Sequence, residues 1–469
     1  MISCQTFAAT NGTLNASGGA GAAWGGDSGG GGRIAVIYET TAQSNMPPPK
    51  VSIIAACGKF GSSGVDADLG TLYFPDSQLF TRAEGDIAFS GRWLAPTGGK
   101  LVRSSTSLKN CWLRIPEDGT IFEAGGALTL LGTDIAIHKF EMTNGLLQIG
   151  GDFVVNKASL VMRAAEVGGP VLDCAGDLVL TNGAALYVES AATASPTNPG
   201  ARVEVAGDMV VASTGSWVYP TSHPTNGASV LFKMDRLFLP TAGAGFNASG
   251  RGFRGGEKKS VLPVERRHGL GPGRGGFIND GLRGGGGHGG IGGGATGDFG
   301  KSYGSANLPA WAGSGGAGGD GAGGYGGGGV RIEAVRDIVL GGSILANGAV
   351  GAQYSGGGAG GSIWIVCREF SGTATAVLSA NGGNGANWGG GRGGGGRIAV
   401  WHDLWEGSYA RLLNEETWSG VRLATTYANY LGAATVVQGT GGSVTPDAGP
   451  GTLVFLSVPP PPATVIVVR

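Results

Sequence analysis

Nineteen residues near the start of this chain return almost unchanged far downstream. Gly18–Val36, with its core Gly29-Gly30-Gly31-Gly32-Arg33-Ile34-Ala35-Val36, reappears as Gly382–Val400, and 15 of the 19 positions are identical. The offset is 364 residues (382 − 18). Self-similarity over such a period is the mark of an array whose units stack on one another, and it constrains the architecture before any site is sought. The chain therefore enters one copy of a long repeat and runs just past the end of the next. Its last residues, Thr464–Arg469, have the composition of a strand cut short, so the chain is expected to be a segment of a larger repetitive protein.

Composition decides whether such an array can be ordered. Gly (97) and Pro (21) together make 118 of 469 residues, at the edge of the low-complexity class. Yet 41% of residues are apolar, many of them in short Val, Ile and Leu runs, enough to bury a core that disordered chains lack. A formal net charge of −1 gives no bulk attraction to nucleic acid or to an anionic membrane. No apolar stretch approaches the roughly 20 residues of a membrane span, so no membrane insertion is expected in this segment. Cys4, Cys57, Cys111, Cys174 and Cys367 are scattered and odd in number, against both a disulfide framework and a zinc site.

Four segments follow from the distribution of glycine. Residues 1–45 are the tail of a glycine-rich unit. Residues 46–240 hold only 23 Gly and carry a recurring Gly-Asp-apolar element at Asp86, Asp152, Asp177 and Asp208, with a degenerate copy at Asp235. From Asp152 the spacings are 25, 31 and 27 residues, without helical periodicity between them. That interval predicts coils of a parallel β-solenoid, a right-handed β-helix, with strands stacked about 4.8 Å apart. An immunoglobulin-like sandwich is the rival, but its strands come every 8–12 residues with no longer period. Residues 241–405 form a glycine-rich repeat domain with short strands, and residues 406–469 a linker and the start of the next copy. Gly451-Thr452-Leu453-Val454-Phe455 echoes Gly70-Thr71-Leu72-Tyr73-Phe74. In the glycine-rich domain a second beat keeps phase, Ala-[Ser/Asn]-Gly at Ala16, Ala248, Ala346 and Ala380. Random low complexity does not keep phase, so the glycine runs are expected to be ordered polyglycine-II-like helices with three residues per turn.

The motifs Gly393–Val400, Gly358-Ala359-Gly360-Gly361-Ser362-Ile363-Trp364-Ile365 and Asn247-Ala248-Ser249-Gly250-Arg251-Gly252 together resemble glycine-rich, repeat-containing β-solenoid proteins of the large exported bacterial surface type. The resemblance implies an extracellular or cell-surface role and supplies no catalytic residue. A weaker similarity, to the glycine-rich extracellular region of receptor kinases, bears on architecture alone.

Candidate chemistry is sparse. Asp66 and Asp68 lie two apart, as a calcium or acid/base pair would, but their setting before the Gly70–Phe74 strand suits a turn. An Asp repeated once per coil is better explained by turn hydrogen bonding than by catalysis. The calcium-binding nonapeptide frame is absent around Asp27, Asp298 and Asp320. His138, His223, His268, His288 and His402 have no metal or triad spacing, and His288 is expected at a solvated turn or cap. Trp24, Trp311, Tyr325, Tyr354 and Trp388 interrupt glycine runs and are candidate sugar contacts, the plainer role being to cover glycine backbone. Arg251, Arg254, Lys258, Lys259, Arg266, Arg267 and Arg274 form the most basic stretch. Arg-Gly-Gly segments bind RNA, but strand phase and overall neutrality favour a positive loop open to an acidic polysaccharide. The expectation is a non-catalytic structural or adhesive segment without cofactor, its partners an extracellular polysaccharide or other copies of itself. A carbohydrate-active β-solenoid enzyme, lyase or hydrolase, is the alternative.

Overall fold

The computed structural model describes residues 1–22, 27–47, 49–58, 67–76, 78–81, 89–93, 100–103, 106–109, 111–116, 118–133, 138–165, 168–195, 198–260, 264–279, 282–294, 299–387, 389–404, 408–413, 421–442 and 446–457. The chain is nearly all β and divides into two compact units, residues 1–191 with 201–219, and residues 192–200 with 220–469.

The first unit is a parallel β-solenoid whose coils each lay down three strands. One sheet stacks Lys100–Arg103, Ile121–Ala124, Leu146–Ile149, Val171–Cys174 and Ala201–Val205. A second stacks Thr106–Lys109, Leu128–Leu131, Phe153–Asn156, Leu178–Thr181 and Met209–Val211. The third stacks Trp112–Ile115, Lys139–Thr143, Ser159–Arg163, Ala185–Glu189 and Trp217–Thr221. All pairing between these rungs is parallel and in register, which an antiparallel sandwich cannot produce. Alternation sends Leu147, Ile149, Phe153, Val155, Leu160 and Met162 into the coil interior, each buried.

The Gly-Asp element builds the corner between the first two sheets. Asp152 Oδ1 accepts the Asp177 backbone N–H at 3.0 Å, and Asp177 Oδ1 accepts that of Asp208 at 2.8 Å. Each carboxylate thus caps the next coil rather than its own turn. The glycine before each Asp is required because a Cβ on Gly176 or Gly207 would strike the carboxylate of the preceding coil. Asp86 lies outside the described residues.

At the N-terminal end, Gly12–Asn15 pairs with Val51–Ile54, and Arg33–Ile37 with Thr71–Tyr73. Strand Phe89–Trp93 joins both pairs: Phe89 and Ser90 align with Ile53 and Ile54, Arg92 and Trp93 with Thr71 and Leu72. The change of partner falls on Gly91, whose φ of 154° suits a residue without a side chain.

The second unit repeats the three-strand coil with glycine-rich excursions between coils. Its first sheet stacks Val230–Met234, Gly329–Ala334, Ser362–Val366, Arg397–His402 and Thr452–Ser457. Its third sheet stacks Gly245–Asn247, Ser343–Leu345, Val377–Ser379 and Ala433–Thr435. The Ala-[Ser/Asn]-Gly beat is the exit from that sheet. Ala248, Ala346 and Ala380 donate to Leu345, Ser379 and Thr435 of the following coil, and Gly250, Gly348 and Gly382 donate to Asn347, Asn381 and Val437.

The excursions bond to one another every third residue. Gly313, Gly316 and Gly319 donate to Gly327, Gly324 and Gly321 at 2.8–2.9 Å. Gly321, Gly324 and Gly327 donate in turn to Gln353, Gly356 and Ala359, while Gly323 and Gly326 donate to Gly256 and Phe253. One segment therefore addresses different neighbours with successive residues, as a helix of three residues per turn does. Close approach excludes side chains: a Cβ on Gly316 or Gly324 would fall within 3.0 Å of neighbouring backbone.

Candidate functional site

The outward face of the third sheet in the first unit carries the densest chemistry. Inside lie Leu113, Phe140, Met142, Leu160 and Leu186; outside, register aligns Arg114, Glu141, Val161 and Tyr187 on successive coils, with Thr143 beside Arg163. Glu141 is only 3% exposed. Its Oε1 accepts from Trp112 Nε1 at 3.1 Å and Arg114 Nη2 at 3.3 Å, and its Oε2 from Arg114 Nε at 3.2 Å and Arg163 Nη2 at 3.4 Å. Arg163 Nη1 continues the chain of charges to Glu189 Oε1 at 3.0 Å. Burial works against the Glu141 charge, but the Trp112 N–H and the guanidiniums of Arg114 and Arg163 outweigh it and hold the carboxyl below its usual range.

Aromatic rings share this face. Tyr187 and Tyr219 stack at 4.7 Å and 12°, and Lys139 Nζ lies 5.0 Å above the Trp112 ring. Half-buried aromatic faces beside guanidiniums can hold sugar rings bearing acidic groups. General acid catalysis needs a carboxyl whose pKa is raised, and Glu141 is displaced the other way with both oxygens occupied.

The sequence-derived candidates sit elsewhere. Trp24, Trp388 and Asp66 lie outside the described residues. Trp311 turns edge-on to Tyr303 at 5.9 Å, and Tyr354 lies 5.8 Å below the Arg283 guanidinium. Tyr325 is 40% exposed on the glycine segments. In the basic stretch, Glu257 pairs with both Arg254 (3.3 Å) and Arg266 (2.9 Å). Arg267 is buried over the Phe277 ring and Arg251 bonds Thr221 Oγ1, while Lys258, Lys259, Arg266 and Arg274 are exposed. Glu257 thus sets an opposite charge within the stretch and offsets part of its positive charge.

His288 is a correction. Instead of a solvated turn it occupies a fully buried position among the glycine segments, its Nδ1 2.9 Å from the Gly360 carbonyl. Tyr303 packs beside it at 4.8 Å and donates to Ala312 O, while Ser314 Oγ donates to the Tyr303 hydroxyl. Arg397 donates to Tyr303 O through Nε and Nη2 and to Thr452 Oγ1 through Nη1. Burial, assisted by the Arg397 charge, lowers His288 to about 3. The network braces glycine segments; the Arg of the Gly-Arg-Ile-Ala-Val motif is one of its members.

Among the described residues no group of three His, Cys, Asp or Glu side chains is placed to hold a metal, and no helix is long and apolar enough to cross a membrane. The residues missed from sequence, Trp112, Arg114, Glu141, Arg163, Tyr187, Glu189 and Tyr219, carry one signal: Arg163 to Glu189 and Tyr187 to Tyr219 span 26 and 32 residues, close to the Asp-to-Asp coil spacings. No family model, no curated protein and no solved structure matches this chain.

Proposed function

We propose that the chain is a non-catalytic extracellular segment of a larger repetitive surface protein, built for stiffness and for adhesion to an extracellular polysaccharide. Its glycine segments act as a polyglycine-II-like bundle that stiffens the coils, and the Trp112–Tyr219 face of the first unit holds the glycan. One observation carries the reading: the buried carboxylate of that face is fully committed to Trp112, Arg114 and Arg163, so the face offers rings and guanidinium edges rather than a free acid. The resemblance to exported repeat proteins supplies the extracellular setting.

The purified chain, incubated with insoluble and acidic polysaccharides, is expected to co-sediment without releasing unsaturated or reducing ends. Tyr187→Ala with Tyr219→Ala should weaken sedimentation at least tenfold. If Lys258→Ala, Lys259→Ala and Arg274→Ala together do so instead, the glycan lies on the basic loop. A carbohydrate-active enzyme is favoured by one feature, two carboxylates, Glu141 and Glu189, bridged by Arg163 beside aromatic rings. Heat-sensitive release of sugar ends would replace the adhesive reading with that one.

A further inference from the structure

The two copies of the repeat can be superimposed bond by bond. In the first, Gly32 donates to Ala16, Ala16 to Ile54, Gly18 to Ala56, Gly70 to Ala55 and Thr71 to Gly32. In the second, Gly396 donates to Ala380, Ala380 to Thr435, Gly382 to Val437, Gly451 to Val436 and Thr452 to Gly396. Residues up to the Gly-Arg-Ile-Ala-Val strand are offset by 364 (380 − 16), and those beyond it by 381 (435 − 54, 451 − 70). The strand pairs follow the same rule, Ile34 with Leu72 in one copy and Ile398 with Leu453 in the other.

The copies part at the outer edge of these two strands. In the first, the Ala55 N–H donates to Ser90 O at 2.7 Å and Arg92 N–H donates to Gly70 O at 2.7 Å, so Phe89–Trp93 closes the edge formed by Val51–Ile54 and Thr71–Tyr73. In the second, among the described residues no strand lies on the equivalent edge of Ala433–Thr435, and the Val436 N–H and Gly451 carbonyl lack the bonds their counterparts make. Antiparallel strand Arg422–Ala424 covers only Phe455–Ser457, beyond the positions that Arg92 and Trp93 would meet. Burial follows: Ile53 and Leu72 are fully buried, whereas Ala434 and Leu453 are half-buried and the flanking Leu431 and Val437 are 70% and 52% exposed. An edge with free donors and acceptors templates a further strand.

We infer that the edge formed by Ala433–Thr435 and Gly451–Leu453 accepts a strand of the Phe89–Trp93 sequence from a further copy of the repeat. Ser90 aligns there with Thr435, Arg92 with Thr452 and Trp93 with Leu453, and Gly91 makes the change of partner. The inference rests on the repetitive-protein reading proposed above. It names the joint through which one copy hands over to the next.

A register-specific cross-link tests it. The full chain carrying Thr435→Cys is incubated under a glutathione redox buffer with a peptide of residues 84–96 carrying Ser90→Cys, and disulfides are mapped by mass spectrometry. Cross-linking at 435 is expected to exceed that of Ala374→Cys, an exposed position on the preceding coil, at least tenfold. Gly91→Val in the peptide should remove the excess, since a Cβ at Gly91 meets the Leu72 side chain in the first copy and would meet its counterpart Leu453. Equal linkage at 435 and 374, or linkage indifferent to Gly91→Val, overturns the inference. Polysaccharide sedimentation does not enter this readout, so a failed adhesion assay and a failed joint are separate results.

Discussion

Asp177 works on two coils at once, and this makes its chemistry testable one atom at a time. Its Oδ1 accepts the Asp208 N–H, while the glycine beside that amide leaves the carboxylate its space. Asp177→Asn keeps an acceptor and should change stability by less than about 0.5 kcal/mol. Asp177→Ala leaves the amide without its partner and should cost about 1–2 kcal/mol in denaturant unfolding. His288 makes a second residue-scale prediction. It has an ordinary value of 6.5 in the unfolded chain and about 3 when folded. As pH falls the unfolded chain takes the proton first, so its stabilising contribution is whole above about 6.5 and is lost between there and 3. Two pH units below 6.5 the loss is about 3 kcal/mol. Between pH 7 and 4.5, the wild type should therefore lose about 3 kcal/mol more than His288→Gln, which has no imidazole to protonate. His402 is lowered in the same direction by burial, but it is unchanged in the variant and cancels in the comparison.

At the scale of elements, glycine is the constraint that sequence shows only as abundance. The Gly357 carbonyl accepts from the Gly286 N–H, its own N–H donates to the Gly391 carbonyl, and a Cβ there would fall within 3.0 Å of the Gly383 carbonyl. Gly357→Ala must displace backbone on a neighbouring glycine segment and should cost upwards of about 3 kcal/mol. Gly19→Ala, with nothing within 4 Å of its Cβ, should be neutral by the same denaturant measurement. The coil spacing from Asp152 to Asp208 and the Ala-[Ser/Asn]-Gly beat were legible because each is a local signal tied to one repeated bond. The face around Glu141 was not, because its members come from different coils and meet only through register. His288 was misjudged because a histidine flanked by glycines looks solvated until other glycine segments close over it.

On the scale of the whole chain, a bare solenoid holds itself together through nearest neighbours, and its coils can fray one at a time. The second unit breaks that rule. The excursion that follows Gly245–Asn247 crosses to segments that enter two later strands: Gly286 bonds Gly357 and receives from Gly394, and Gly290 bonds Gly395. Arg397 ties the same bundle to Thr452. Distant coils therefore share partners, and opening one of them exposes unpaired glycine amides belonging to the others. Native-state hydrogen exchange should show this directly. The amides of Gly286, Gly316 and Gly324 should be protected by a factor of at least about a thousand and should open with the same free energy as those of strands Ser362–Val366 and Arg397–His402. Gly286→Ala, whose Cβ would strike the Ser314 carbonyl, should lower the opening free energy of both strands by equal amounts. Loss of protection at Gly316 and Gly324 with the strands unaffected would mean that the bundle rides on the coils without binding them together.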